Sequence, residues 1–138
     1  MSYAKPLPVP DPESRPFWEA AKDGRLLIQR CASTGAYQFP PTTFCPGGLE
    51  RPEWVEASGK GRVFSWIVVR HPVPKDVYAD EVPYAVALVT LEEGCRMVAN
   101  LVGVDVDAIQ ADMPVKVAFR PVTNEITLPV FEPARADA

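Results

Sequence analysis

The chain has 138 residues, a formal net charge of −4 and 47% hydrophobic residues, which suits one globular domain with a small appendage. No apolar run approaches the roughly 20 residues of a membrane helix, and residues 1–10 lack the apolar segment of a secretory signal. We therefore expect a cytoplasmic chain without a membrane partner. The acidic balance also argues against a nucleic-acid partner, because binding to phosphates needs a basic face.

Residues 1–24 are predicted to form a Pro-rich arm and a short helix. Prolines at every second position from Pro6 to Pro12 deprive the arm of helix and sheet hydrogen bonds. The helix is predicted over residues 13–23, with Ser14 as its N-cap and Gly24 as its left-handed stop. Its apolar stripe consists of Phe17, Trp18 and Ala21. Whether this stripe packs on the chain's own core or on a partner chain is left open by the sequence.

Residues 25–57 are predicted to be a degenerate zinc ribbon between short strands at 26–29 and 53–57. The segment has too few apolar residues to form a core and would need a staple such as a metal. A ribbon site usually has two C-x-x-C pairs. Here Thr34 occupies the second position of the pair that begins at Cys31, and Gly48 that of the pair that begins at Cys45. We expect no metal. An odd cysteine count also argues against a disulfide framework, so the two cysteines are expected to be buried thiols.

Residues 58–132 are predicted to form an OB-fold, a small and partly open Greek-key barrel. The five strands are placed at residues 62–70, 83–91, 95–102, 115–120 and 125–131, with a helical turn capped by Asp105 or Asp107 before the fourth. Strict alternation along the first strand would put Val63, Ser65, Ile67 and Val69 on one face. Residues 133–138 are expected to be a disordered tail. The predicted fold class is thus all-β with short helices.

The loop at residues 70–84, between the first two barrel strands, is the candidate ligand site, because long loops on a rigid scaffold often carry function. Three side chains could meet an anionic group and two could stack on a ring: Arg70, His71, Lys75, Tyr78 and Tyr84. A solvated hairpin loop shaped by prolines accounts for the same residues equally well. No catalytic residue is predicted, since nothing pairs the single histidine with an activated thiol.

Several segments together resemble a known protein family. They are Phe17-Trp18-Glu19, residues 24–31, Gln38-Phe39-Pro40-Pro41, Cys45-Pro46, Trp54-Val55, residues 58–61 and 63–66, Val82-Pro83-Tyr84, residues 100–103 and 113–115. They resemble OB-fold proteins with a rubredoxin-like zinc ribbon, associated with acyl-CoA metabolism and first catalogued as a domain of unknown function. The resemblance covers about residues 12–132 and departs from the family at Thr34 and Gly48.

The resemblance implies a non-catalytic accessory subunit that binds acyl-CoA or bridges subunits. Its partner would be a thiolase-like enzyme, a hot-dog hydratase or an aldolase built on a thiolase fold. CoA would then be the ligand of the 70–84 loop, and a homo-oligomer is left open. Two alternatives come from other classes. One is an OB-fold module that binds single-stranded nucleic acid through Phe64 and Trp66, and the other is a small thioester hydrolase.

We predict that the purified protein lacks stoichiometric zinc, because neither Thr34 nor Gly48 supplies a thiolate. Metal analysis after mild purification checks this. A zinc content close to one ion per chain would contradict the prediction and would require ligands from elsewhere.

Overall fold

Eight strands form two sheets within residues 3–134, the part of the chain that the computed structural model describes. The helices are α1 (Arg15–Lys22) and α2 (Lys75–Tyr78), and a 3-10 turn spans Val106–Ala108. The strands are β1 (Leu27–Arg30), β2 (Tyr37–Gln38), β3 (Glu53–Glu56), β4 (Lys60–Val69), β5 (Tyr84–Leu91), β6 (Arg96–Leu101), β7 (Pro114–Pro121) and β8 (Thr127–Pro133). The predicted all-β class and strand order are confirmed.

Helix α1 packs on the chain's own core, which resolves the alternative that the sequence leaves open. Its contacts are with β1, β7 and β8. Phe17 is buried, with its ring 4.9 Å from that of Trp18 in an edge-to-face arrangement and 5.3 Å from that of Phe39. Ser14 stands at the N-cap, but its hydroxyl accepts from the Asp11 backbone N–H instead of capping the helix. The helix is therefore held mainly by its aromatic face.

The five longer strands close into a barrel in the order β4-β5-β6-β8-β7, where the sequence predicts a partly open one. Closure takes place at Gly61, which lies opposite Leu91 of β5 and Val115 of β7. A Cβ atom at Gly61 would stand 2.6 Å from Val89 Cγ1 and 2.7 Å from the Thr90 carbonyl oxygen. A residue without a side chain is therefore needed where β4 meets both neighbours.

Strand β4 does not alternate strictly, so the predicted shared face for Val63, Ser65 and Ile67 is wrong. The register shifts between Val63 and Ser65, at a β-bulge. In such a bulge two residues of one strand oppose one residue of the partner, which changes the face that later residues occupy. Val63 is fully buried, whereas Phe64 is 50% exposed and Ile67 is 62% exposed. The bulge thus turns Ser65 and Ile67 to the outer surface, where alternation already places Phe64.

One continuous core joins the helix, the ribbon sheet and the barrel. Strand β5 alternates regularly, with every second residue from Ala85 to Leu91 facing inward. Leu26 and Ile28 enter the same cluster from the ribbon side. The other buried members of this cluster are Phe17, Ala57, Val63, Met97, Leu101, Ile109, Val115 and Phe131. The ribbon therefore shares its hydrophobic stabilisation with the barrel.

The ribbon sheet has the order β2-β1-β3 and is cross-linked, contrary to the expected pair of free thiols. Cys31 and Cys45 form a disulfide with their Cα atoms 6.0 Å apart, and both residues are buried. Beside it, buried Gln29 donates to the Thr42 carbonyl at 3.0 Å and accepts from the Thr42 N–H at 2.9 Å. Gln38 donates to Gln29 at 2.9 Å. These bonds hold β1 against the loop that follows β2.

Helix α2, a single turn inside the 70–84 loop, is an element that the proline-rich sequence does not predict. At the other end of the chain, β8 continues to Pro133, and the Ala134 N–H donates to the Pro114 carbonyl at 3.0 Å. The tail predicted to begin at residue 133 is thus ordered at its start, and residues 135–138 lie outside the described part. Within residues 3–134, neither helix is long and apolar enough to span a bilayer.

We predict that residues 35–48 exchange their amide hydrogens faster than residues 63–69, because few apolar side chains anchor the ribbon loops. Replacing Cys31 and Cys45 by Ala should widen this difference. A disulfide across 14 residues contributes about 3 kcal/mol by limiting the unfolded chain. Hydrogen exchange read by mass spectrometry measures both effects. Cys95→Ala, which leaves the cross-link intact, is the control. Equal protection of the two segments in both variants would contradict the prediction.

Candidate functional site at the tyrosine end of the barrel

A cavity of about 450 Å³ lies at one end of the barrel, where the β4–β5 loop faces the β7–β8 end. OB-folds commonly bind their ligands at this place, on the second and third strands between these two connections. We call it the tyrosine cavity. Its lining residues are Tyr3, Lys5, Pro6, Tyr78, Glu81, Tyr84, Ala85, Val86, Asn100, Leu101, Val102, Arg120 and Leu128. The volume falls within the usual range for a small-molecule site.

Two stacked tyrosines form one wall of the tyrosine cavity. Helix α2 starts after Pro74, whose extended backbone ends the preceding loop, and one turn later places Tyr78 near the start of β5. There Tyr78 stacks on Tyr84, with ring centroids 5.8 Å apart and planes 28° from parallel. Both residues are partly exposed. Such a pair offers an aromatic surface on which a planar ligand group can stack.

The N-terminal arm and β7 bring cations to the same cavity. Lys5 forms an ion pair with Glu81, and its Nζ lies 5.3 Å from the Tyr3 ring centroid. The hydrogen bond with Glu81 raises the pKa of Lys5 above its ordinary value, against a smaller opposing effect of burial. Arg120, near the end of β7, is exposed. The cavity therefore combines aromatic rings with positive charge.

The structure brings together two of the five residues that the sequence proposes for ligand binding. Tyr78 and Tyr84 line the tyrosine cavity. Arg70 lies outside its lining and pairs with Asp107, at 3.2 Å between Nη2 and Oδ1. His71 and Lys75 are exposed and do not line the cavity. The loop therefore divides into a ring-bearing part at the barrel and a charged part away from it.

Lys5, Asn100 and Arg120 also line the cavity and are not among the residues that the sequence proposes. Lys5 lies 76 positions before its partner Glu81, so no local pattern links the two residues. Arg120 does follow from the OB-fold, because the end of the fourth barrel strand lies near the loop between the first two. The sequence gives less reason to select Asn100 than Arg120. Its side chain donates to the Ala85 carbonyl at 3.3 Å.

The remaining thiol and the histidine are too far apart to form a nucleophile–base pair. His71 follows the end of β4 that pairs with Tyr84, and Cys95 bonds to Leu91 at the other end of β5, so the length of this strand separates them by about 24 Å. Burial raises the pKa of the Cys95 thiol, which disfavours the reactive thiolate. A general base must lie within hydrogen-bond reach of the proton that it removes. These two side chains cannot meet that requirement in this fold.

The ribbon does not offer the donor set that a structural zinc needs. Cys31 and Cys45 are bonded to each other, and the Thr34 hydroxyl accepts from the Ala36 N–H. Gly48 has no side chain. Elsewhere in residues 3–134, no group of three or more His, Cys, Asp or Glu side chains is arranged to hold a metal. Four soft ligands are the rule for such sites, so this ribbon does not fit zinc.

A carboxylate joins the two halves of the ribbon instead. The Ser33 N–H donates to Glu50 at 3.0 Å, and the Ser33 hydroxyl donates to the other oxygen of the same carboxylate. These bonds hold the pKa of Glu50 below its ordinary value. Ser33 follows Cys31 and Glu50 follows Cys45. The contact therefore joins the two loops that together supply the ligands of one metal ion in a complete ribbon.

Two family models match the chain. The C-terminal OB-fold domain of ChsH2 matches residues 54–120, and the rubredoxin-like zinc ribbon domain of ChsH2 matches residues 18–47. A solved structure described as Ltp2-ChsH2(DUF35) aldolase is 44% identical, with a TM-score of 0.82 over 94% of this chain and 100% of that one. A DUF35-family structure from Sulfolobus solfataricus, at 13% identity and a TM-score of 0.62, shares the fold.

Relatives of two kinds are similar in sequence. A probable enoyl-CoA hydratase alpha subunit from Thermomonospora curvata is 45% identical over 94% of this chain, yet the chain spans only 40% of that protein. A DUF35 domain-containing scaffold protein from Methanothermobacter thermautotrophicus is 38% identical over 72% of this chain and 75% of its own length. A scaffold protein from Methanocaldococcus jannaschii is 32% identical over 78% of this chain and 77% of its own length.

Proposed function

We propose that this chain, which belongs to the DUF35 family of OB-fold proteins with a rubredoxin-like zinc ribbon, is an accessory subunit of an acyl-CoA enzyme. The observation that carries this proposal is the similarity to the Ltp2-ChsH2(DUF35) aldolase, which extends over the whole of the matched chain. The similarity to a probable enoyl-CoA hydratase alpha subunit supports the same class of enzyme. Catalytic residues would then belong to the partner subunit.

An aldolase-type partner built on a thiolase fold suits the chain better than a hot-dog hydratase. The relative in the aldolase structure is matched along 100% of its chain. The hydratase alpha subunits, by contrast, are matched along only 40% and 32% of theirs. The aldolase match is also one of structure, with 44% identity and a TM-score of 0.82. We favour a thiolase-fold aldolase as the partner for that reason.

The tyrosine cavity is the proposed contact with acyl-CoA. CoA carries an adenine ring and several phosphates, which require a stacking surface and cations. Tyr78 and Tyr84 supply the stacked rings, while Lys5 and Arg120 supply positive charge. Because Glu81 already pairs with Lys5, an incoming phosphate would have to share or replace that partner. The arm that carries Lys5 would thereby sense the bound ligand.

A bridging role finds support on the outer face of β4, β5 and β6. There the bulge in β4 leaves aliphatic side chains in register, with Ile67 opposite Val86 and Leu88 opposite Val98. Ile67 and Val98 are each 62% exposed. Exposed apolar patches on soluble domains often mark contacts with other proteins. We propose the catalytic acyl-CoA subunit as the protein that covers this patch.

The isolated chain is expected to turn over no acyl-CoA thioester. Thioester chemistry needs a nucleophile or a general base close to the reacting carbonyl, and Cys95 and His71 lie at opposite ends of β5. Release of free CoA from acetyl-CoA, followed with a thiol reagent, measures this. Hydrolysis that exceeds the buffer rate and disappears in His71→Ala would overturn the accessory-subunit proposal in favour of a thioester hydrolase.

CoA binding should depend on the cations of the tyrosine cavity more than on those of the exposed loop. Lys5→Ala with Arg120→Ala should weaken CoA binding roughly tenfold, because the two lost charged contacts together remove about 1.4 kcal/mol. Arg70→Ala with Lys75→Ala removes the same charge from residues outside the cavity and is the matched control. Calorimetric titration of each double variant with CoA measures the difference.

A larger loss of CoA affinity in Arg70→Ala with Lys75→Ala than in Lys5→Ala with Arg120→Ala would place the CoA contact on the exposed part of the 70–84 loop, as the sequence alone suggests. If CoA binds only in the presence of the partner subunit, the same two variants are compared in the complex. Removal of a binding contact should then raise KM for the acyl-CoA substrate more than it lowers kcat. Equal effects of both variants would argue against the tyrosine cavity as a specific site.

A further inference from the structure

A second concave surface lies at the opposite end of β4 and β5 from the tyrosine cavity, with a volume of about 780 Å³. It is formed by the starts of β4, β6 and β7 and by the end of β5. We call it the cation groove, after four charged side chains that line it together with an exposed ring: Lys60, Arg62, Phe64, Arg96 and Lys116. Neither the family resemblance nor the proposed function uses this surface.

Strand register concentrates like charges in the cation groove. Lys60 of β4 lies directly opposite Lys116 of β7. Arg62 lies opposite Thr90 of β5, which in turn lies opposite Arg96 of β6. Like charges on directly opposed residues destabilise a sheet. An anion bound between these strands would offset that repulsion.

Nearby carboxylates balance only part of this charge. Glu92 and Asp112 also line the groove, so its lining has four cations and two acids in a chain of net charge −4. Within the described residues, Lys116 is paired with Glu132 at 3.7 Å, and no ion pair includes Lys60, Arg62 or Arg96. Arg62 instead donates to the Asp112 backbone carbonyl at 2.9 Å. The groove therefore keeps a local positive excess.

The guanidinium of Arg96 lies over an aromatic ring within this positively charged groove. Its guanidinium carbon lies 3.7 Å from the centroid of the Phe64 ring, and its Nε donates to the Thr90 hydroxyl at 3.2 Å. Phe64 is 50% exposed and follows buried Val63, so its ring is available on the outer face for this contact. A stacked guanidinium with its orientation set by a hydrogen bond presents its other N–H groups as a fork that matches phosphate oxygens.

We infer that the cation groove binds the phosphate groups of a phosphorylated small molecule. Two lysines opposite each other suit a spread of negative charge such as a diphosphate, and the Arg96 fork suits two oxygens of one phosphate. Free nucleotides and the nucleotide end of CoA share this chemistry. The inference goes beyond the proposed function, because the groove and the tyrosine cavity have no lining residue in common.

The test is a titration of the full chain with inorganic pyrophosphate at low ionic strength, followed by amide chemical shifts. Saturable shifts are expected at residues 60–64, 90–96 and 114–116. Lys60→Gln with Lys116→Gln should weaken binding roughly tenfold through the loss of two charged contacts. Arg70→Gln with Lys75→Gln removes the same charge outside the groove and should leave the affinity unchanged. Thermal unfolding of each variant verifies that the fold is retained.

Two further titrations identify the source of the phosphate. ADP binding in the groove as tightly as CoA supports a free nucleotide, whereas markedly tighter binding of CoA supports its nucleotide end. Absence of saturable shifts with pyrophosphate, or equal weakening by both double variants, overturns the inference. Binding of an oligothymidylate in the groove also overturns the inference if it is far tighter than that of pyrophosphate and is abolished by Phe64→Ala. The pyrophosphate and ADP titrations do not test the tyrosine cavity. Where CoA binds more tightly than ADP, the variants at Lys5 and Arg120 and those at Lys60 and Lys116 distinguish the two sites for its nucleotide end.

Discussion

Closure of the barrel at Gly61 is the constraint on which the rest of the structure depends. At this residue β4 pairs with β5 on one side and with β7 on the other, and the space beside its Cα is taken by Val89 and the Thr90 backbone. A closed barrel has two ends and no free edge. One end carries the tyrosine cavity and the other carries the cation groove, so both surfaces follow from the same pairing.

The ribbon holds its fold with only two of the four cysteines that a zinc ribbon uses. Its sheet packs on the barrel core through Leu26 and Ile28, which is a source of stability that does not depend on metal. The Cys31–Cys45 cross-link and the contact between Ser33 and Glu50 then hold the two loops together. Small segments need such staples because their own apolar burial is too small to offset the entropy of ordering.

An accessory role fits the distribution of chemistry over the surface. Stacked rings and cations occur at the tyrosine cavity, and aliphatic side chains lie in register on the outer face of β4 to β6. The one free thiol and the one histidine are kept apart by the length of β5. Such a surface is equipped to hold a ligand and a protein partner, whereas bond making and breaking would fall to the partner.

The amino-acid sequence by itself determined the order of the barrel strands, the helix with its aromatic stripe and the missing ligands at Thr34 and Gly48. These features are local, since periodicity, turn residues and ligand spacing are visible within short windows. The tertiary structure alone decided the bulge at Phe64, the approach of Lys5 to Glu81 and the facing of Lys60 with Lys116. Each joins residues distant in sequence or depends on strand register, and register is set by packing of the whole barrel.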